Sequence, residues 1–164
     1  MSTLPAWVAF GGNLGDVQAT VGQALAALDE LPGIRVRARS RFYRTPAWGL
    51  TDQPDFINGV AALDTTLSPQ ALLAALLATE QRFGRVRAAD TPRWGPRTLD
   101  LDLLAVGELV LDEPGLTLPH PRLHERAFVL VPLAELAPGL VVPGRGRVAG
   151  LLAAVDASGI EAIP

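Results

Sequence analysis

Two hydrophobic periods alternate along the chain, one of two residues and one of three to four, as strands and helices require. Ala6 to Phe10 is a short apolar run that predicts a strand. Gly11-Gly12-Asn13-Leu14-Gly15 then turns the chain, and Asp16 is placed to cap a helix. Val17, Val21, Leu25 and Leu28 form one stripe on that helix, which Pro32-Gly33 ends. Ile34 to Phe42 alternates with Arg35, Arg37, Arg39 and Arg41, which predicts a strand whose arginines line one solvated face or guard an edge. Phe56 to Leu63 predicts another strand, with Phe56 and Asn58 on the same side. Ser68-Pro69 signals a helix start, and Leu72, Leu73, Leu76, Leu77 and Phe83 carry its stripe to Gly84. Glu80 falls on this stripe in the last turn, where an acid needs either water at the rim or a partner.

From Gly84 to Thr98 there is no period, but there are Arg85, Arg87, Arg93 and Arg97. Alternation resumes at Leu99 and predicts a strand reaching Val106, with Asp100 and Asp102 on one face and Leu99, Leu101 and Leu103 on the other. Gly107-Glu108 predicts a tight turn, with Leu109 to Leu111 pairing back as a hairpin. Ala127 to Leu136 predicts a helix containing Pro132, Leu140 to Val142 a short strand, and Val148 to Ala157 a small helix before a loose tail.

The chain's 164 residues suit one domain over positions 1–164. Hydrophobic residues make up 49% and charged residues 19%, a globular balance with no apolar run long enough to span a bilayer. No secretory signal opens the chain, so a cytoplasmic protein is expected. There is no cysteine, which leaves oxygen and imidazole as metal ligands and makes Mg²⁺ the default ion. All 14 basic residues are arginine, so phosphate must be met by arginine, histidine, backbone or metal, without a P-loop lysine. The formal net charge of −3 argues against nucleic acid as a partner.

These limits bring Asp100 and Asp102 forward. At about 3.3 Å per residue their Cα atoms stand about 6.6 Å apart, within reach of one metal pair about 4 Å apart. A bare Asp-x-Asp pair is more often a solvated strand face. Here the arginines just upstream suit phosphate oxygens and the carboxylates suit Mg²⁺, which together describe a site for a metal-bound polyphosphate. The loop from Arg44 to Asp55 carries Trp48, and the basic loop before Leu99 carries Trp94 and reads as a lid over an anionic ligand. Phe56 offers a ring to stack on, and Asn58 offers both a donor and an acceptor to a heterocycle edge. His120 is held between Pro119 and Pro121. No residue stands out as a general base.

Several of these segments coincide with one family. Gly12-Asn13-Leu14-Gly15-Asp16, Phe42 to Pro46, Asp52 to Asn58, Gly84 to Arg87, Leu118-Pro119-His120-Pro121 and above all Arg93-Trp94-Gly95-Pro96-Arg97-Thr98-Leu99-Asp100-Leu101-Asp102 make the chain resemble the 6-hydroxymethyl-7,8-dihydropterin pyrophosphokinases of folate biosynthesis. The resemblance implies a ferredoxin-like α/β sandwich, an antiparallel sheet with helices on both faces. It implies transfer of the β,γ-diphosphate of ATP to the pterin hydroxymethyl group with release of AMP, by a monomer. It puts two Mg²⁺ ions on Asp100 and Asp102, and catalytic contacts on these and on Arg87 and Arg97. ATP contacts are implied at Glu80, Arg87, Arg93, Trp94, Arg97, Leu103, Thr117, His120 and Arg126. Pterin contacts are implied at Thr45, Pro46, Ala47, Trp48, Phe56, Asn58 and Phe128, with the ring between Phe56 and Phe128. Phe56, Leu77, Pro121, Ala47-Trp48 and Asp90-Thr91-Pro92 depart from the pattern of some members. Two other readings of the same residues are a non-catalytic nucleotide-binding module on this fold and a two-metal nuclease, the second opposed by the acidic balance.

Overall fold

The computed structural model describes residues 2–46, 54–83 and 98–163. Strand β1 (Leu4–Gly12) leads into helix α1 (Val17–Asp29), then β2 (Ile34–Arg39), β3 (Phe42–Thr45), β4 (Phe56–Thr65) and α2 (Pro69–Phe83). Strand β5 (Asp100–Val106) follows, then the short ribbon β6 (Leu111–Glu113) and β7 (Leu116–Leu118), and helix α3 (Ala127–Leu136). A second ribbon of β8 (Val141–Val142) and β9 (Gly146–Arg147), helix α4 (Val148–Ala153) and strand β10 (Glu161–Ile163) complete the order.

The helix starts follow the chemistry of their caps. The Asp16 carboxylate accepts from the Ala19 N–H at 3.1 Å, and Ser68 Oγ accepts from the Ala71 N–H at 3.1 Å, each satisfying a donor that the first turn leaves open. Helix α1 buries its predicted stripe of Val17, Val21, Leu25 and Leu28, whereas α2 buries Leu72 and Leu76, half-buries Leu73 and Phe83, and leaves Leu77, predicted for the same stripe, exposed.

In the main sheet β1 is central, antiparallel to β4 on one side and to β5 on the other. Strands β2 and β3 share the far edge of β4, and β10 adds to β3. The order β10-β3-β4-β1-β5 with crossovers through α1 and α2 is a ferredoxin-like sandwich. One face buries Val8, Phe10, Ile34, Leu63, Leu101 and Leu103 beneath α1 and α2. The other buries Trp7, Val60, Ala62 and Leu104 beneath α3 and α4. A fully buried leucine such as Leu28, Leu63 or Leu76 contributes about 1.5–3 kcal/mol relative to leaving it in water.

Four expectations are revised. The arginines do not share a face, because a bulge between Val36 and Ala38 resets the alternation. Arg37 turns to the Trp7 ring at 5.5 Å, whereas Arg39 turns to the Phe42 ring at 4.4 Å on the opposite core. The predicted single strand is also broken at Ser40-Arg41, where the Ser40 hydroxyl replaces a ladder partner by accepting from the Val60 N–H at 3.0 Å. Residues Leu111–Glu113 pair forward with Leu116–Leu118 and not back on β5. The tail is not loose, since Glu161–Ile163 pairs with Phe42–Arg44, and α4 stops at Ala153. A second bulge, opposite Trp7/Val8, puts Leu104 and Ala105 together on the α3 side, so every residue from Leu103 to Val106 is buried.

Gly59 shows how tightly the sheet is packed. It faces Phe10 across the ladder, and a Cβ there would run into the Phe10 ring and stand 2.9 Å from Ser40 Oγ. The Phe10 ring meets Phe42 edge-on at 5.6 Å and has little room to retreat. Gly59→Ala is therefore expected to destabilise the fold by about 1–3 kcal/mol, read as a lowered urea midpoint with an unchanged slope.

Candidate active site

Strand period and cross-strand register bring Asp100, Asp102, Asn58, Phe56 and Thr45 to one side of the sheet. Gly11 pairs with Asp100 on β5 and with Asn58 on β4, and Asn58 pairs in turn with Tyr43 on β3. Directly opposed residues in a sheet project to the same face, so Asp100, Gly11, Asn58 and Tyr43 form one row across four strands. One row away Asp102 pairs with Ala9, and one row the other way Phe56 pairs with Thr45. Leu101 and Leu103 point into the opposite core, so both aspartates lie on the α3 side. Asp102 is exposed and Asp100 half-buried.

Gly11 is what opens the row. A Cβ there would collide with the Asn58 amide oxygen and lie 3.0 Å from the Ile57 carbonyl. Asn58 thus leans over β1 toward the aspartates, and its amide nitrogen donates to Thr45 Oγ1 at 3.1 Å. The rings of Phe56 and Phe128 are half-buried, and Phe128 sits in the first turn of α3. The Arg126 guanidinium lies 5.7 Å from the Phe128 ring centroid, the range of a cation–π contact.

His120 follows a cis Leu118-Pro119 peptide bond. Its backbone N–H donates to the Leu104 carbonyl at 2.8 Å, which ties it to β5 just past Asp102. The Arg122 N–H donates to His120 Nδ1 at 3.1 Å, so the ring proton of the neutral form belongs on Nε2. Burial holds the imidazole below its ordinary value against the opposing pull of Asp102, and Arg126 and Arg122 lower it further.

Glu80 is buried at 6% exposure, and its Oε1 accepts from the Leu101 N–H at 2.7 Å. Leu101 stands between the two aspartates on the outermost strand, so this carboxylate closes a ladder position that the sheet leaves open. Nothing in the sequence announced that partner; only the acid on an apolar stripe pointed to a need for one. Leu103 places its side chain in the core, which leaves its backbone as what it can offer a ligand, and Thr117 is half-buried on β7. Pro46 is exposed at the end of β3. Ala47, Trp48, Arg87, Arg93, Trp94 and Arg97 lie outside the described residues.

The donor set on the α3 side is two carboxylates, an imidazole and Arg126. Among the described residues no group of three or more acids and histidines converges as a metal cage. Two hard carboxylates with free positions for water and phosphate oxygen are nonetheless the usual protein share of a Mg²⁺ site.

Comparison with known proteins bears on the family and the fold. The family model of 7,8-dihydro-6-hydroxymethylpterin-pyrophosphokinase (HPPK) matches residues 7–138. A 2-amino-4-hydroxy-6-hydroxymethyldihydropteridine pyrophosphokinase of Methylorubrum extorquens is 49% identical over 158 residues, 96% of this chain and 98% of the relative. The protein of the same name from Pseudomonas aeruginosa is 50% identical over 96% of each chain. A crystal structure of an HPPK-DHPS in complex with substrates superposes with a TM-score of 0.70 at 12% identity, covering 93% of this chain and 43% of that longer one. That likeness concerns the fold.

The Glu80 contact can be tested directly. Glu80→Ala leaves the Leu101 N–H without its acceptor and is expected to cost about 1–3 kcal/mol, whereas Glu80→Gln keeps an acceptor oxygen and should lose less. Amide exchange at Leu101, read by NMR, should quicken in the alanine variant more than in the glutamine variant.

Proposed function

The chain belongs to the 7,8-dihydro-6-hydroxymethylpterin-pyrophosphokinase family, and from that premise we propose how its residues divide the reaction. The protein is a pyrophosphokinase of folate biosynthesis with ATP as co-substrate. The β,γ-diphosphate passes to the hydroxymethyl group of 6-hydroxymethyl-7,8-dihydropterin, and AMP leaves. The observation that carries the residue assignment is the shared row of Asn58, Gly11 and Asp100.

At about 4.8 Å per strand, Asn58 and Asp100 stand about 9.5 Å apart, enough for a bicyclic ring seated at one end to extend its hydroxymethyl arm toward the other. Phe56 and Phe128 stack on the faces of the pterin, Asn58 and Thr45 read its edge, and Pro46, Ala47 and Trp48 are its further contacts. Asp100 and Asp102 would hold two Mg²⁺ ions, whose bound charge would supply neutralisation of the phosphate chain.

Nucleotide phosphates are met by His120 Nε2–H and Arg126, with Arg87, Arg93 and Arg97 supplying further guanidinium forks and Trp94 a packing surface. Glu80, Leu103 and Thr117 complete the nucleotide side, Glu80 through its hold on β5. The pterin hydroxyl oxygen forms a bond to the β-phosphorus as the bridge to the α-phosphate breaks. AMP carries away the electron pair and the hydroxyl proton passes to solvent. Positioning and charge neutralisation supply the rate, with no side-chain base required. We read the chain as one cytoplasmic, monomeric domain. Among the described residues no helix is long and apolar enough to cross a membrane.

Incubation with Mg²⁺, ATP and hydroxymethyl-dihydropterin should yield AMP and no ADP; ADP as the sole nucleotide product would refute the transfer. Asp100→Asn and Asp102→Asn should each lower kcat by about 10²-fold or more while leaving the thermal midpoint near that of wild type, since both side chains reach solvent. Turnover at the wild-type rate in either variant would refute the metal assignment.

A further inference from the structure

The arginine row that the bulge divides ends in a polar cluster with no place in the reaction so far. Glu135 on α3 receives three donors, two from Arg41 at the break between β2 and β3 and one from Tyr43 on β3. Its Oε2 accepts from the Arg41 N–H at 2.8 Å, and its Oε1 accepts from Arg41 Nε at 3.0 Å and from the Tyr43 hydroxyl. Arg41 Nη2 also donates to the Tyr43 oxygen at 3.2 Å, and its guanidinium lies 5.6 Å from the Tyr43 ring. At this break the Ser40 hydroxyl donates to the Arg41 carbonyl at 2.7 Å and accepts from the Val60 N–H at 3.0 Å, while the Arg41 N–H turns to Glu135. Burial alone would raise the Glu135 carboxyl, but the hydrogen bonds from Tyr43 and Arg41 outweigh it and hold it below the usual range.

Both ends of this cluster reach the pterin slot. Tyr43 is the ladder partner of Asn58, and β3 continues two residues on to Thr45, which accepts from Asn58. On α3, Phe128 lies two turns before Glu135, about 10.5 Å along the same helix face. The apolar residues Val129, Leu130 and Leu133 set the height of α3 over the sheet. Apolar packing is non-directional, however, and leaves sliding and rotation of the helix weakly specified. A carboxylate taking three directed donors specifies both.

We propose that Glu135 is a positioning residue for the pterin: with Arg41 and Tyr43 it locks α3 to β3, and so fixes the gap between Phe128 and the Phe56, Asn58 and Thr45 wall. It acts through Phe128 and touches no substrate. The inference rests on the reading of Phe56, Asn58 and Phe128 as the pterin slot, and the test separates the two.

Steady-state kinetics on Tyr43→Phe, Glu135→Gln and Glu135→Ala, with Phe128→Ala and Asn58→Ala as controls, provide that test. Tyr43→Phe and Glu135→Ala should raise KM for the pterin by about five- to tenfold, with KM for ATP within about twofold of wild type and kcat little changed, a split that marks lost ground positioning. Glu135→Gln, which keeps one acceptor, should fall between them and wild type. A lower thermal midpoint with wild-type KM for the pterin, or KM values for both substrates rising together, would overturn the proposal. Should Glu135→Ala fail to fold, the near-isosteric Tyr43→Phe decides between these outcomes. If Phe128→Ala and Asn58→Ala also leave the pterin KM unchanged, the slot itself has been misassigned; if they raise it while the clamp variants do not, the clamp alone is wrong.

Discussion

The site depends on two glycines that answer each other across β1 and β4. At one ladder position β4 has Gly59, and the Phe10 ring of β1 fills the space toward α1 and α2. At the next position β1 has Gly11, and the Asn58 amide of β4 fills the space toward α3. Successive residues face opposite sides of a sheet, so one exchange builds core and the adjacent one builds site. The central strand is therefore bare at this position, where the proposed reading has the substrates cross it, and Asp100 and Asn58 face each other over backbone. A side chain at position 11 would displace Asn58 and also stand between the two ends of the row.

The sheet's outer donors are closed by acids. Glu80 takes the Leu101 N–H at 2.7 Å, Glu135 takes the Arg41 N–H at 2.8 Å, and Asp29 takes the Val36 N–H at 2.8 Å. Each acid comes from a helix, so each contact ties a helix to a strand edge while satisfying a backbone donor. Two of these three segments lead directly to candidate site residues, β5 to the aspartates and β3 to Thr45. The same device thus stops the sheet from pairing further and holds the functional ends of its strands in register.

Much of this was legible in the residues. The capped helices, the two-sided alternation of β5 and the common face of Phe56 and Asn58 follow from period and cap chemistry, which are local. What escaped is what depends on partners far along the chain. A bulge reverses the side on which every later residue points, yet Arg35 to Arg41 reads as unbroken alternation because a bulge adds one residue without altering composition. Strand β10 is three residues long, and its pairing is decided by the free edge of β3 rather than by anything in Glu161 to Ile163. The acid-to-edge contacts span 21 residues for Glu80 and 94 for Glu135, so the residues could show that Glu80 needs a partner but not which one, and Glu135 carried no such sign.

The electrostatics then bear on what form of nucleotide the site accepts. A chain of formal charge −3 carries two aspartates on one strand face, where the proposed ligand is itself polyanionic. Like charges held this close oppose binding of the free nucleotide, and His120, which burial and two arginines hold toward its neutral form, adds a donor there but little positive charge. On the proposed reading, the arginines offset part of the phosphate charge and the carboxylates favour the metal-bound nucleotide over the free one. On that reading the same aspartates would discriminate against ATP arriving without metal, so charge would select the reactive form before any geometry is tested.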